Sequence, residues 1–403
     1  MLDRAVTDPR SLLSAAAVRE RAHAMLAVAE AGRLDDWAVD LSRLPDTAAF
    51  VAEVVRERYP TLQVPFHARW RHFEAGGRDL WAEASSGFAD PAEKARAAFD
   101  LAIVSVLLDA GAGAGWRYQD ALTGLTFARS EGLGIASLRL FESGALSTDS
   151  AAPLRADASK LAGLETGTLA GGFQVSDGNP LVGLEGRAAL LRRLGAQCAA
   201  RPDLFARADA PRPGGLYDVL AARAEAGRLP APAILEVLLE ALGPIWHGRP
   251  SLDGAPLGDC WPHPALGYVP LHKLSQWLSY SLVEPLEAAG LEVVELDGLT
   301  GLAEYRNGGL FVDTGVLSLR DPADAGRSHA VDSPLVVGWR SLTVALLDRI
   351  APMVRERLGV SADAFPLARV LEGGTWAAGR VVAKRLRADG GPPLTVVSDG
   401  TVF

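Results

Sequence analysis

Helix start and stop signals recur through the first half of this chain, and no regular alternation of strand and helix interrupts them. The clearest run, 90–111, opens on Asp90-Pro91 and stops at Gly111. That supplies an N-cap, a proline at the first helical position and a C-terminal glycine. The run 179–195 repeats the scheme with Asn179, Pro180 and Gly195. An alanine-rich run at 11–30 ends beside Gly32, Asp46 caps a run that reaches Arg58 before Pro60, and two more occupy 216–226 and 233–242. Loops rich in Gly and Pro fall at 111–115, 171–179, 211–215 and 247–264. Beyond them the sequence predicts a helix from Leu271, short β-like stretches at 291–296 and 310–319, a helix at 335–358, and a 395–403 segment turning at Asp399-Gly400. A parallel sheet would need strands alternating with helices, so the expectation is a mainly α chain with minor β. It divides into an N-terminal helical region, 1–165, and a C-terminal region, 166–403, either as two domains or as one continuous body.

Composition removes several classes of function. At 403 residues, 49% apolar and 22% charged, the chain has ordinary globular content and enough length for a sizeable core. Its net charge of −9, with no basic block, argues against nucleic acid or an anionic membrane as partner. The apolar run 101–108 between Asp100 and Asp109 is far short of the ~20 residues that span a bilayer. The start, with Asp3, Arg4, Asp8 and Arg10 and no apolar h-region, does not read as a secretory signal, and Cys198 and Cys260 show no CxxC spacing, so a reducing, cytoplasmic setting is expected. Phosphate-loop, dinucleotide, zincin and nucleophile-elbow motifs are all missing, and no cofactor is implied. Gly111, Gly113 and Gly115 read as a helix stop followed by a turn. Four lysines stand against 36 arginines, which draws the eye to Lys273.

Four polar clusters lie in segments punctuated by Gly and Pro, where binding groups are commonly held. In Phe66-His-Ala-Arg-Trp-Arg-His-Phe73, helical spacing puts Phe66, Trp70 and Phe73 on an apolar face with His67 and Arg71 beside it, as a solvated basic face or an anion site. Gly115-Trp-Arg-Tyr118 offers Arg117 as a ligand contact, or as architecture stacked on Trp116 or paired with Glu131. Gly258-Asp-Cys-Trp-Pro-His263, followed by His272, offers a pocket-lining loop with Trp261 and His263, or a loose metal set of Asp259, His263 and His272. In the fourth cluster, Leu271, Leu274, Leu278 and Leu282 form a core stripe while Lys273, Gln276, Tyr280 and Glu284 face elsewhere, toward solvent or a pocket. Thirty-one residues on, Glu304, Tyr305 and Arg306 precede an Asn-Gly-Gly turn.

Together with Glu372-Gly-Gly-Thr-Trp376, these segments resemble the uracil catabolism protein 4 family over nearly the whole chain. That resemblance implies a place in a pyrimidine-degradation route that passes through a ribosylurea phosphate. Lys273, Gln276, Leu299, Thr300, Ala303, Glu304, Tyr305 and Arg306 are also similar to a Lys-x-x-Gln helix followed by Leu-Thr-x-x-Ala-Asp-Tyr-Arg in the queuosine 5'-phosphate salvage glycosidases. Those enzymes have a helical DNA-glycosylase-like fold, so this likeness implies such a core here, with additional N-terminal helices. It covers about a tenth of the chain, and Glu304, one methylene longer, stands where the glycosidases have Asp.

The expectation from these likenesses is an N-ribosyl hydrolase acting on a small phosphorylated ribosyl substrate. Glu304 and Lys273 form its catalytic pair, Glu304 stabilising the sugar cation or activating water. His67, Arg71, Trp116, Arg117, Trp261, His263, His272, Gln276, Tyr305 and Arg306 are the candidate binding residues, with Lys273, Arg306 and His272 meeting the phosphate. No metal ligand is assigned in this reading. The rivals are a metal-dependent amidohydrolase using Asp259, His263 and His272, and a phosphoribosyl-binding protein without turnover.

Overall fold

A computed structural model describes residues 8–206 and 210–397. Over them the protein is 56% helical and 11% strand, mainly α with minor β. Helices of nine or more residues are α1 (Ala15–Glu30), α2 (Leu44–Arg58), α3 (Pro91–Leu107), α4 (Arg129–Glu142), α5 (Leu184–Ala200), α6 (Gly215–Arg223), α7 (Ala231–Leu242), α8 (Lys273–Ala288), α9 (Tyr305–Asp313), α10 (Pro334–Leu358) and α11 (Trp376–Leu386). The strands form only two-stranded pairs, five antiparallel and two parallel. None of the described helices is long and apolar enough to cross a membrane.

Local chemistry accounts for most helix starts. The Asp90 side chain accepts from the N–H of Ala92 at 3.0 Å with Pro91 in the first turn of α3, Ser14 caps α1, and Ser333-Pro334 opens α10, which ends at Gly359 with φ 72°. Helix α2 begins two residues before Asp46, which lies in its first turn.

Three expectations are corrected. Asn179-Pro180 does not start a helix, because the Asn179 amide is engaged by the backbone of Arg117 and Gln174. Helix α5 starts instead after Gly183 (φ 71°) and passes through Gly195, where a Cβ would lie 2.2 Å from the backbone N of Ala162. That glycine admits the short helix Ala158–Ala162 rather than ending α5. In 310–319, Leu310 to Asp313 belong to α9 and only Leu317–Leu319 is strand, antiparallel to Trp37–Val39. The 66–73 segment yields a 3-10 helix, Arg69–Phe73, instead of an amphipathic α-helix. Of the 395–403 segment, Thr395–Val397 is strand and the Asp399-Gly400 turn lies outside the described residues.

The described residues fall into two compact units, neither of them continuous in sequence. The first collects residues 8–67, Arg249–Gln276 and Glu295–Val397. In it α1, α2 and α9 pack on α10, and α9 also packs on α11. Stacked Trp37 and Trp339, 6.3 Å apart, sit in its core, and Trp37 donates to the carbonyl of Leu335. The second collects Ala68–Gly248 and Trp277–Val294, with α3 packed on α4, α5 and α6. There the buried Arg187 guanidinium takes up the carbonyls of Leu108, Ala110 and Gly111 beyond the end of α3. Both cysteines are buried and unpaired, and burial raises both thiol pKa values.

Candidate functional site

The site of the first unit is built around Asp259. The hairpin Cys260–His263 with Gly267–Pro270 leads into α8 through Leu271 and His272, whose N–H groups donate to the Asp259 carbonyl at 2.9 and 3.1 Å. His272 adopts φ 46°, an uncommon conformation for a residue with a Cβ, and these bonds hold it there. The Asp259 carboxylate accepts from the N–H of Lys273, from Trp261 Nε1 and, bidentately at 2.7 Å, from Arg340 of α10. Burial alone would raise its pKa, but the charge and hydrogen bonds of Arg340 hold it well below the usual carboxylate range. Arg340 Nε also donates to the carbonyl of Ala303 at 3.1 Å. One ion pair, buried at its Arg340 end, therefore fixes both the residue that starts α8, Lys273, and the residue before Glu304.

Glu304 is the N-cap of α9. Its Oε2 accepts from the N–H of Arg306 at 2.7 Å and its Oε1 from that of Asn307 at 2.5 Å. The side chain is buried, and burial raises its pKa against the opposing pull of those two N–H groups and of the charges on Lys273 and His67. Lys273, Glu304 and His67 are thus electrostatic neighbours. Arg306 Nη1 donates to the carbonyl of Gly390 at 2.6 Å, and its guanidinium lies 4.8 Å from the centre of the Tyr305 ring. Two glycines seat α9: a Cβ on Gly379 of α11 would lie 2.2 Å from the Arg306 carbonyl, and one on Gly308 would lie 2.8 Å from Thr343 and Trp339 of α10.

On the α8 side, Gln276 is fully buried, so the helix is not solvated at that position. Gln276 Oε1 accepts from the N–H of Thr300 at 3.3 Å, while its Nε2 has no partner among the described residues. A donor in that condition suits a bound acceptor.

His67 and the Glu372-Gly-Gly-Thr-Trp376 motif form the remaining side. Residues Val370–Thr375 make a π-helical turn, a form frequent at functional sites. His67 Nδ1 lies 2.6 Å from Glu372 Oε2, and the Trp376 ring centre is 5.4 Å from that of His67. Cβ atoms on Gly373 and Gly374 would come within 2.9 Å of Val64 and 3.0 Å of Val51, so the glycines let the turn settle against α2 and the segment beyond it.

Other predicted residues serve the scaffold. His272 Nε2 bonds the carbonyl of Leu12 at 2.9 Å, and burial lowers its pKa. A neutral ring in that position does not supply a cation for phosphate. His263 is buried, its pKa lowered by burial, and its Nδ1 accepts from the N–H of Ala265. Trp261 faces the Arg249 guanidinium at 5.1 Å. No group of three or more His, Cys, Asp or Glu side chains among the described residues is placed to hold a metal ion, and the Asp259 oxygens are committed to Arg340. Arg71, Trp116 and Arg117 belong to the second unit. There Arg71 is paired with Glu284 and Glu74. Trp116 is fully buried and donates to the carbonyl of Phe173, while Arg117 bonds nearby backbone carbonyls.

Sequence reasoning left out Arg340, an arginine inside a long apolar helix with no motif around it. The sequence marks out the Glu372 motif but assigns that glutamate no role. The paired glycines after Glu372 were the signal for a special backbone.

The profile of the family described as "Protein of unknown function (DUF1688)" matches residues 11–403, and the chain belongs to that family. It is 40% identical over 405 residues to "Protein urg3" of Schizosaccharomyces pombe, covering 97% of this chain and 98% of that one. It is 38% identical over 414 residues to "Uracil catabolism protein 4" of Lachancea kluyveri, covering 92% and 93%.

Proposed function

We propose that this member of the family acts in uracil catabolism as an N-ribosyl hydrolase. It would cleave the C–N bond of ribosylurea 5-phosphate, or of a related phosphoribosyl intermediate, to give urea and ribose phosphate. The name of the Lachancea kluyveri relative supports the pathway, and the local likeness to phosphate-bearing nucleoside glycosidases supports the reaction type. In this reading the helical core is of the DNA-glycosylase-like kind.

The observation that carries the reading is Glu304: a buried carboxylate held in one orientation by two backbone N–H groups, beside Lys273 and His67. Loss of an amide-type nitrogen from a ribosyl carbon leaves positive charge on the sugar, and a fixed carboxylate stabilises it without reorganising. At ~4 Å and an effective dielectric near 20 such a contact contributes up to about 4 kcal/mol, or ~10³ in rate. Glu304 also serves to accept a proton from the attacking water. Lys273 and Arg306 hold the phosphate, and the Gln276 amide donates to the substrate.

Incubating purified protein with ribosylurea 5-phosphate tests this: urea and ribose 5-phosphate should appear together. Intact substrate, or ammonia released from a different pathway intermediate, would refute the hydrolase.

A further inference from the structure

Resting on that reading, we infer that His67 is the acid that protonates the departing nitrogen, and that Glu372 is the residue that positions it.

Departure of a urea-type nitrogen needs a proton, and Glu304 is poorly placed to give one. Both of its oxygens already accept from backbone N–H groups, an arrangement that suits the ionised carboxylate. His67 has the required surroundings. The 370–375 turn that carries Glu372 packs on α9, whose N-cap is Glu304, so the acid and the carboxylate share one locale, and the charge of His67 acts on Glu304. The 2.6 Å contact between Nδ1 and Glu372 Oε2 fixes the ring: the buried glutamate accepts from Nδ1–H, and Nε2 carries the proton to be transferred. The backbone N–H of His67 donates to the carbonyl of Ala368 at 3.0 Å, so main chain and side chain are both tied to the 368–372 segment. Trp376 closes on the ring at 5.4 Å. The π-helical turn gives this pair its geometry, since it carries Glu372 out of ordinary helical register while Gly373 and Gly374 pack against Val64 and Val51.

The step balances as follows. The ribosyl C1'–N bond breaks with its electron pair going to nitrogen, which takes the proton from His67 Nε2. Water adds to C1' and gives its proton to Glu304. Glu304 then releases its proton to solvent and His67 takes one up from solvent, which restores both groups, so one water is consumed and no other reactant is needed.

The test compares two leaving groups in the same protein samples. Ribosylurea 5-phosphate needs acid assistance, whereas 4-nitrophenyl β-D-ribofuranoside 5-phosphate releases a stable phenolate and does not. His67→Ala should lower kcat/KM on ribosylurea 5-phosphate by ~10² to 10⁴ more than on the aryl substrate, with helical circular dichroism reporting the fold. Glu372→Gln should move the ratio of the two rates in the same direction by a smaller factor. If His67→Ala does not fold, His67→Gln answers the same question with a side chain of similar length. Equal losses on both substrates, or none on ribosylurea 5-phosphate, would overturn the assignment of His67. Failure of the wild-type protein to cleave either substrate would instead refute the hydrolase reading itself.

Discussion

Removing the charge of Asp259 should cost far more stability than an exposed ion pair would, and removing Arg340 as well should return much of it. Asp259 Oδ1 accepts from Arg340 Nη1 and Trp261 Nε1, and Oδ2 from Arg340 Nη2 and the N–H of Lys273. In Asp259→Asn, whichever terminal atom becomes the amide nitrogen faces two donors. Arg340, only 2% exposed, is then left without its counter-charge. Breaking a buried pair from one side costs about 3–5 kcal/mol. Arg340→Met costs a similar amount, because it strands the carboxylate and frees the Ala303 carbonyl. In the double variant no uncompensated charge remains. The Trp261 and Lys273 donors compete for the asparagine oxygen and the Ala303 carbonyl stays unpaired as in Arg340→Met, a loss of ~2–3 kcal/mol. The two changes should therefore couple by ~3 kcal/mol or more in urea unfolding of the full chain followed by helical circular dichroism. A double variant whose loss equals the sum of the two single losses would refute the claim that this ion pair joins the start of α8 to the residue before Glu304.

Glu304→Gln should bind ribosylurea 5-phosphate near normally while turnover falls by ~10³ or more, whereas Lys273→Ala should chiefly raise KM; wild-type turnover in the first variant ends its assigned role. Two charge-assisted phosphate contacts at ~1.5–3 kcal/mol each predict that dephosphorylated ribosylurea loses at least ~10² in kcat/KM, and equal rates on the two compounds would argue against a phosphate site. Gly379→Ala should destabilise by about 1–3 kcal/mol, because its Cβ has no room beside the Arg306 carbonyl; an unchanged urea midpoint would mean that α9 and α11 are free to separate. Asp100, fully buried in the second unit with its pKa pushed up to about 7 by burial against the pull of Arg212, keeps in the folded state a proton that the unfolded chain has lost. Unfolding then releases a proton, so this group makes stability fall as pH rises from about 4 to 7, by about 4 kcal/mol in all. Asp100→Asn should flatten that slope, and an unaltered pH profile would rule the group out as its source.

What the sequence disclosed, and what it hid, follows the range of the interactions. Caps are local: Asp90-Pro91 and Ser333-Pro334 act within three residues, so those starts are written where they operate, whereas Glu304, an equally local cap, is masked because Asn307-Gly308-Gly309 reads as a turn although it lies within α9. Asn179-Pro180 carries the same local grammar and misleads, since a loop more than fifty residues earlier in the chain claims the asparagine. The same contrast divides the site. Lys273, Gln276, Glu304 and Arg306 lie on two neighbouring segments with a spacing that can be read, and the charge of Lys273 acts on Glu304. The pair that holds those segments together is separated by 81 residues and the one that orients His67 by 305. Nothing near Arg340 in the chain distinguishes it from 35 other arginines except that it sits in an apolar helix. That exception has physical content, because a buried arginine persists only where an acceptor set has been built for it. An arginine among Val, Trp, Ser and Leu therefore announces a distant carboxylate. By that reasoning Asp259, whose neighbours Cys260 and His263 suggested a metal loop, is the anion that Arg340 requires, and its work is to hold Lys273 and Glu304 in place rather than to meet the substrate.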